Sequence, residues 1–397
     1  MSDTSHPALE SLPERFIQRD PAARAQAERV RVVRAPGRVN LIGEHTDYNE
    51  GFVLPAAIDL EIRIAFIPTD DGRVELTLDA TGERREFVVA SPGPRRGEWI
   101  DYVAGTAWAL TEAGLPLRGF RGLLASSLPP GAGLSSSAAI ELATAWALSG
   151  PDGPALEPMA LARTARRAEN DYVGVQSGLM DQFAVTMGRA GMALRLDCRS
   201  LDWEAVPIPV DLELVVCHSG SPRRLEVSAY NDRRAECARA VEAIATHGPG
   251  ISSLRDVDLS MLERHRTHMD EVAHARALHV VTENLRVLDA EAALKAGDRE
   301  AVGRLFAASH ASLRDLFEVS SPALDALVVI AAGTPGVVAA RLTGAGFGGC
   351  TLNLVERGRA DELRAAVERD YPARTGLMPQ VFVVDAVDGA GFLSTPG

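Results

Sequence analysis

Cysteine is scarce in this chain. Its 397 residues hold four, Cys198, Cys217, Cys237 and Cys350, and no two of them form a C-x-x-C pair. That usage suggests neither a zinc cluster nor a disulfide framework, and thiols fit a reducing compartment. Long apolar runs are missing too: no stretch approaches the roughly 20 uninterrupted apolar residues a membrane span needs. The opening residues 1–16 contain no apolar leader core, so a cytoplasmic location is expected. Positive charge is in short supply, with Lys plus Arg at 41, Asp plus Glu at 54 and a formal net charge of −13. With no basic run, such a surface repels a phosphate backbone and argues against a nucleic-acid partner. A nucleotide is not excluded, because it needs only a local pocket of N–H groups and a metal ion. Internal repeats and low-complexity tracts are also lacking, and the length suits one large or two medium domains.

What is present reads as mixed α/β. Residues 21–30 have helical character, and Arg31–Arg34 reads as a strand that runs into a turn at Pro36–Gly37. Residues 58–66 alternate apolar and polar with period 2, which predicts a half-buried strand. Residues 73–78 and 86–90 alternate in the same way, and 120–128 is a further apolar stretch. Ala, Leu and Glu over 138–148 predict a helix. Further helices are expected over 156–172 and 228–245, and across most of 262–330. Apolar strands are expected at 212–217, 337–343 and 350–355. A domain boundary is placed near residue 205.

Three segments carry chemistry. In the first, residues 128–139, small residues with Gly131 and Gly133 separate a strand from a helix. Glycines let a turn point several N–H groups inward, and a helix start adds unpaired N–H groups and the positive end of its dipole. The result is an anion cradle suited to ATP phosphates, with Ser135, Ser136 and Ser137 able to cap the helix, bond phosphate or ligate Mg²⁺. No Gly-Lys-Ser/Thr ends it, so it is not a Walker A loop, and the Rossmann spacing fails at Ser136. A Ser-capped helix after a Pro-Gly turn is the plainer alternative. In the second segment, Arg38, Asn40, Glu44, His45 and Asp47 crowd into ten residues. Such groups can bond many hydroxyls at fixed angles, as gripping a sugar requires. A metal site or a simple polar turn are the other readings. In the third, Asp181 sits among Leu179, Met180 and Phe183, where burial is costly without a partner such as Arg38; an exposed Asp at a helix start is the alternative. A glycine loop at 344–349 could shape the same pocket. The histidines at 265, 268, 274 and 279 read as one solvated helix face, since Arg264, Arg266 and Arg276 would repel a cation.

Taken together, Gly37–Tyr48, Pro130–Ala139 and Leu342–Cys350 resemble the GHMP kinase family, and within it the galactokinases. The segments Gly178–Phe183 and Ser312–Asp325 are similar as well, so the resemblance runs from about residue 30 to 390. It departs at Ser177, where Cys is frequent, and over 218–224. The resemblance implies a two-lobed α/β (α+β) GHMP kinase fold with the active site in the cleft between lobes, here residues 1–205 and 206–397. It implies ATP-dependent phosphorylation of the 1-hydroxyl of galactose, with Mg²⁺, by a monomer. Asp181 falls at the catalytic carboxylate with Arg38 beside it. Glu44, His45, Asp47, Gly178 and Tyr230 fall where the family holds the sugar. Gly131, Gly133, Leu134 and Ser135–Ser137 match the phosphate loop, Trp99 the adenine aromatic, and Ser137 with Glu169 the metal ligands. A kinase for N-acetylgalactosamine, arabinose or a uronic acid, and a non-catalytic galactose/ATP sensor, are the competing expectations.

Overall fold

Glu61 lies in the middle of a strand yet is only 3% exposed, and two arginines meet it there. That burial reflects the architecture of the N-terminal half, where a six-stranded sheet is covered on both faces. The computed structural model describes residues 7–221, 226–247 and 250–393. The sheet runs β13-β1-β3-β6-β4-β5. Its members are β1 (Arg31–Asn40), β3 (Pro55–Thr69), β4 (Arg73–Leu78), β5 (Arg84–Val88), β6 (Gly119–Ser126) and β13 (Gly391–Phe392), the last returning from the far end of the chain to pair with β1. β1, β3 and β6 pair antiparallel, while β4 joins β6 in parallel.

One face of this sheet packs on the lead-in helices α1 (Pro7–Glu10), α2 (Leu12–Arg19) and α3 (Pro21–Ala25), through Leu12 and Phe16 against Ala65 and Ile67. The other carries α4 (Ile100–Glu112) and α5 (Ser136–Leu148). Helix α5 is buried on nearly every side, which is why its sequence shows so little polar face. Residues 58–66, expected to be half-buried, leave only Asp59 and Arg63 partly exposed, because both faces of β3 are covered.

A three-stranded sheet, β2 (Phe52–Val53), β7 (Met192–Asp197) and β8 (Trp203–Pro207), packs with α6 (Pro158–Arg167) and α7 (Met180–Met187). A second, four-stranded antiparallel sheet follows in the order β10-β11-β9-β12: β9 (Leu212–His218), β10 (Val337–Thr343), β11 (Cys350–Glu356) and β12 (Gln380–Val384). Around it stand α8 (Glu226–Ala245), α9 (Leu259–Arg264), α10 (Glu271–Ala296), α11 (Arg299–Asp315), α12 (Pro322–Ala332) and α13 (Ala360–Thr375). The largest apolar cluster continues from the six-stranded sheet through α10 and α11 into β9 and β11. Among the described residues no helix is long and apolar enough to cross a membrane.

Two further expectations change. The strand at residue 31 does not stop at Pro36–Gly37: β1 continues to Asn40, with a shift of register between those two residues. Proline lacks a ladder N–H, and a bulge accommodates it without ending the strand. The helix expected over 156–172 is α6 only to Arg167, after which residues 168–173 form a turn of π-helix. Of the poorly resembling stretch 218–224, residues 222–224 lie outside the described residues.

Candidate active site

Gly37 shows how the first two motifs are brought together. A Cβ there would sit 2.7 Å from the carbonyl oxygen of Leu134, so β1 and the loop after β6 touch backbone to backbone. The next residue seals the contact, its N–H donating to the same oxygen at 3.1 Å. Arg38, only 4% exposed, thereby lies under the 131–137 loop and donates from Nη1 to the Gly133 carbonyl at 2.6 Å. Its other edge grips Asp181, Nε to Oδ1 at 2.8 Å and Nη2 to Oδ2 at 2.9 Å. Such a two-point guanidinium–carboxylate pair fixes both distance and plane. Asp181 stands in the first turn of α7, where the helix dipole favours a negative charge.

Ser135 completes the junction. It occupies the position before α5 with φ 63° and no capping bond, its hydroxyl donating instead to Asp181 at 2.5 Å. A non-glycine residue in the left-handed region is strained, and here the strain aims a side chain at the carboxylate. The Ser-cap alternative is therefore wrong in detail. Gly131 and Gly133 take positive φ of 67° and 72° on the way into the loop.

Opposite lies the 41–48 segment. Asp47 accepts from the Tyr48 N–H at 2.9 Å, and burial and then the charge of Asp181 push its carboxyl upward. A Cβ on Gly178 would come within 1.7 Å of the Asp47 carboxylate, so only glycine leaves that side chain its place. His45, also at positive φ, uses both ring nitrogens within the protein: Nε2–H faces the Ala345 carbonyl at 3.2 Å and Nδ1 meets the Tyr48 hydroxyl at 2.9 Å. Burial and then His279 depress it to about 3, so the ring is neutral at physiological pH. Phe317 and Tyr230 flank it at centroid distances of 4.7 and 5.6 Å. Glu44 accepts from the Gly344 N–H at 3.1 Å and pairs with Arg341, which is fully buried on β10.

Between these groups is a cavity of about 290 Å³. Every site residue nominated from the sequence lines it except Leu134, Trp99 and Asn40, the last fully buried with its Oδ1 accepting from the Leu54 N–H. Leu134 is buried and contributes its carbonyl to Arg38. Trp99 precedes α4 and packs against the main core, and one turn on, Tyr102 is the α4 aromatic in the lining.

Sequence reasoning missed Glu141, Gln182, Arg341, Tyr102 and Asn231. Arg341 left a signal: a lone charge in an apolar strand. Glu141 looked like an ordinary helix residue. Gln182 donates to Glu141 at 3.0 Å and to Glu169 at 2.9 Å, while Ser177 donates to Glu169 at 2.5 Å. Ser137 also bonds Glu169. Neither carboxyl forms an ion pair among the described residues, and burial pushes both upward, Glu141 strongly. Buried carboxylates without a cation are costly by several kcal/mol. Oxygen donors on Ser137 and Glu169 beside an anion cradle therefore fit a hard divalent cation such as Mg²⁺.

Family models match three stretches: the galactokinase galactose-binding signature over residues 22–68, the GHMP kinase N-terminal domain over 101–189 and the GHMP kinase C-terminal domain over 290–373. The galactokinase of Roseiflexus sp. (strain RS-1) is 46% identical over 360 residues, covering 91% of this chain and 92% of the relative. The chain belongs to the galactokinase family. A second family member, the galactokinase of Chloroflexus aurantiacus, is 43% identical over 362 residues and 91% of this chain, or 92% of its own length. The crystal structure of Lactococcus lactis galactokinase complexed with galactose superposes with a TM-score of 0.91 at 35% identity, covering 97% of this chain and all of that one. Methanococcus jannaschii mevalonate kinase shares the fold alone, with a TM-score of 0.62 at 19% identity over 90% of this chain and 98% of its own. A galactokinase-family chain is an ATP-dependent sugar kinase, and the cavity just described joins residues of the galactose-binding signature to the 131–137 loop.

Proposed function

We propose that this chain phosphorylates galactose at its 1-hydroxyl, using ATP and releasing galactose 1-phosphate and ADP. The observation that carries the reading is Asp181, held by both edges of Arg38 and by Ser135 where the phosphate loop meets the sugar-signature segment.

Asp181 accepts the proton of the 1-hydroxyl as its oxygen attacks the γ-phosphorus and the bond to the β-phosphate oxygen breaks. Arg38 holds the carboxylate in one plane, and Ser135 fixes the remaining freedom. The N–H groups of 131–137 and the α5 dipole steady charge on the phosphate oxygens, the main source of rate in phosphoryl transfer. Ser137 and Glu169 would hold Mg²⁺, which when bound neutralises phosphate charge. Asp47 and Glu44 accept from sugar hydroxyls. His45 and Tyr230 form an aromatic wall, with His45 shaping the pocket more than bonding through it. Trp99 is assigned to the adenine end. A monomer in the cytoplasm completes the reading.

ADP release with Mg-ATP across galactose, glucose, N-acetylgalactosamine, arabinose, galacturonate and mevalonate tests it. Turnover with galactose is the expected outcome. Turnover confined to another sugar would move the specificity. Binding of galactose and ATP without turnover would leave a sensor.

A further inference from the structure

Far along α8 from the cavity, three imidazoles converge from two separate segments. His247 follows the end of α8, while His265 and His268 flank the short turn after α9. A nitrogen from each ring lies within 4.8 Å of the other two. His265 Nδ1 and His268 Nδ1 are 3.4 Å apart. Two nitrogens bound to one tetrahedral zinc at about 2.0–2.1 Å stand about 3.3–3.4 Å from each other. His247 Nδ1 lies 3.1 Å from the Ala243 carbonyl. A carbonyl only accepts, so that nitrogen carries the proton and Nε2 keeps its lone pair, the tautomer a metal ligand needs. The rings of His247 and His268 stack in parallel, with centroids 3.8 Å apart, so one of these exposed rings must turn about its side-chain bonds before both lone pairs meet a single ion.

Of the arginines that argued against a cation, Arg266 and Arg276 face carboxylates, while Arg264 keeps its charge beside His265. Arg264 donates to Ser260 at 2.9 Å, Arg266 reaches Glu263 at 3.9 Å, and Arg276 is buried against Glu236 and Glu318. Without an ion, a His265–His268 hydrogen bond and the His247–His268 stack would hold the three rings together. His247 and His268 are exposed, so water can take a fourth position.

We propose that His247, His265 and His268 bind one divalent transition-metal ion of the zinc class. Imidazole nitrogens without carboxylates select zinc, nickel or copper over Mg²⁺, so the site is chemically separate from Ser137 and Glu169. The ion would tie the end of α8 to the turn before α10. Tyr230, on the same helix, is seventeen residues back, about 25 Å at 1.5 Å per residue, so the ion acts on stability and not on the reacting groups.

Untagged protein, stripped with a chelator and free of ATP, would be titrated with Zn²⁺ by calorimetry and melted with and without the ion. One equivalent should bind saturably and raise Tm. His247→Ala and His268→Ala should each weaken binding about tenfold or more, with galactose turnover in Mg-ATP unchanged. Asp181→Asn should bind Zn²⁺ as the parent does. Absence of saturable binding, or binding that survives in the His247→Ala/His268→Ala double variant, would overturn the proposal.

Discussion

Asp181 receives two hydrogen bonds from Arg38 and one from Ser135, so its replacement by an isosteric amide keeps the shape and removes the proposed base. Asp181→Asn is expected to lower kcat about 10³-fold, within the range for loss of a general base, while galactose still binds by calorimetry. Near-parental turnover would remove Asp181 from the mechanism. Gly178 makes the sharper specificity prediction. Its added methyl would displace the Asp47 carboxylate, so Gly178→Ala should raise the galactose KM about tenfold or more and leave the ATP KM nearly unchanged. An equal rise in both would mean that the whole cleft had shifted. At this scale the charged and small residues were legible, because a crowd of polar groups or glycines over ten positions is itself a signal. His45 was legible as a site residue but not in its bonding: Tyr48 and Ala345 occupy both ring nitrogens, and Ala345 is 300 positions away. His279, read as part of a solvated face, is fully buried between the Ser312 hydroxyl and the Glu44 carbonyl.

Elements came through where their periodicity was undisturbed, and β4 and β10 keep their expected limits. They failed where tertiary burial or a local irregularity intervened, as in the bulge of β1 and the π-turn after α6. Arg341 ties β10 to the segment after β1, beside the bonds of Thr343 to Asn40. Arg341 is fully buried, pairs with Glu44 and donates to the Leu41 carbonyl at 2.9 Å. Arg341→Met should cost about 3–5 kcal/mol in urea unfolding, because Glu44 would be left as a buried charge. Adding Glu44→Gln should recover part of that loss. A cost under about 1 kcal/mol for Arg341→Met, the size of an exposed pair, would show that the pair is not a buried link.

For the whole molecule, the buried histidines make stability depend on pH. His279 is depressed from 6.5 to about 4 by burial. Below about pH 6.5 the unfolded chain binds a proton there that the folded chain refuses, so this stability is present above that pH and lost as pH falls toward 4. Glu141 and Glu169, raised by burial, work in the opposite sense. A comparison with the parent cancels them. His279→Gln can keep both hydrogen bonds and should shrink the stability lost between pH 7.5 and 4.5 by about 2 kcal/mol, read from urea midpoints. Equal losses in parent and variant would place the acid sensitivity elsewhere.

The order of the motifs, their residue types and the mixed α/β pattern are local properties, so the sequence alone determined the family and most of the residues that line the cleft. Which of those residues touch was decided only in three dimensions. Asp181 meets Arg38 across 143 positions and Glu44 meets Arg341 across 297. Glu141 joins Glu169 through a single Gln182 amide, and His247 joins His265 and His268. Pairings at such separation depend on how sheets and helices stack, and no spacing along the chain encodes them.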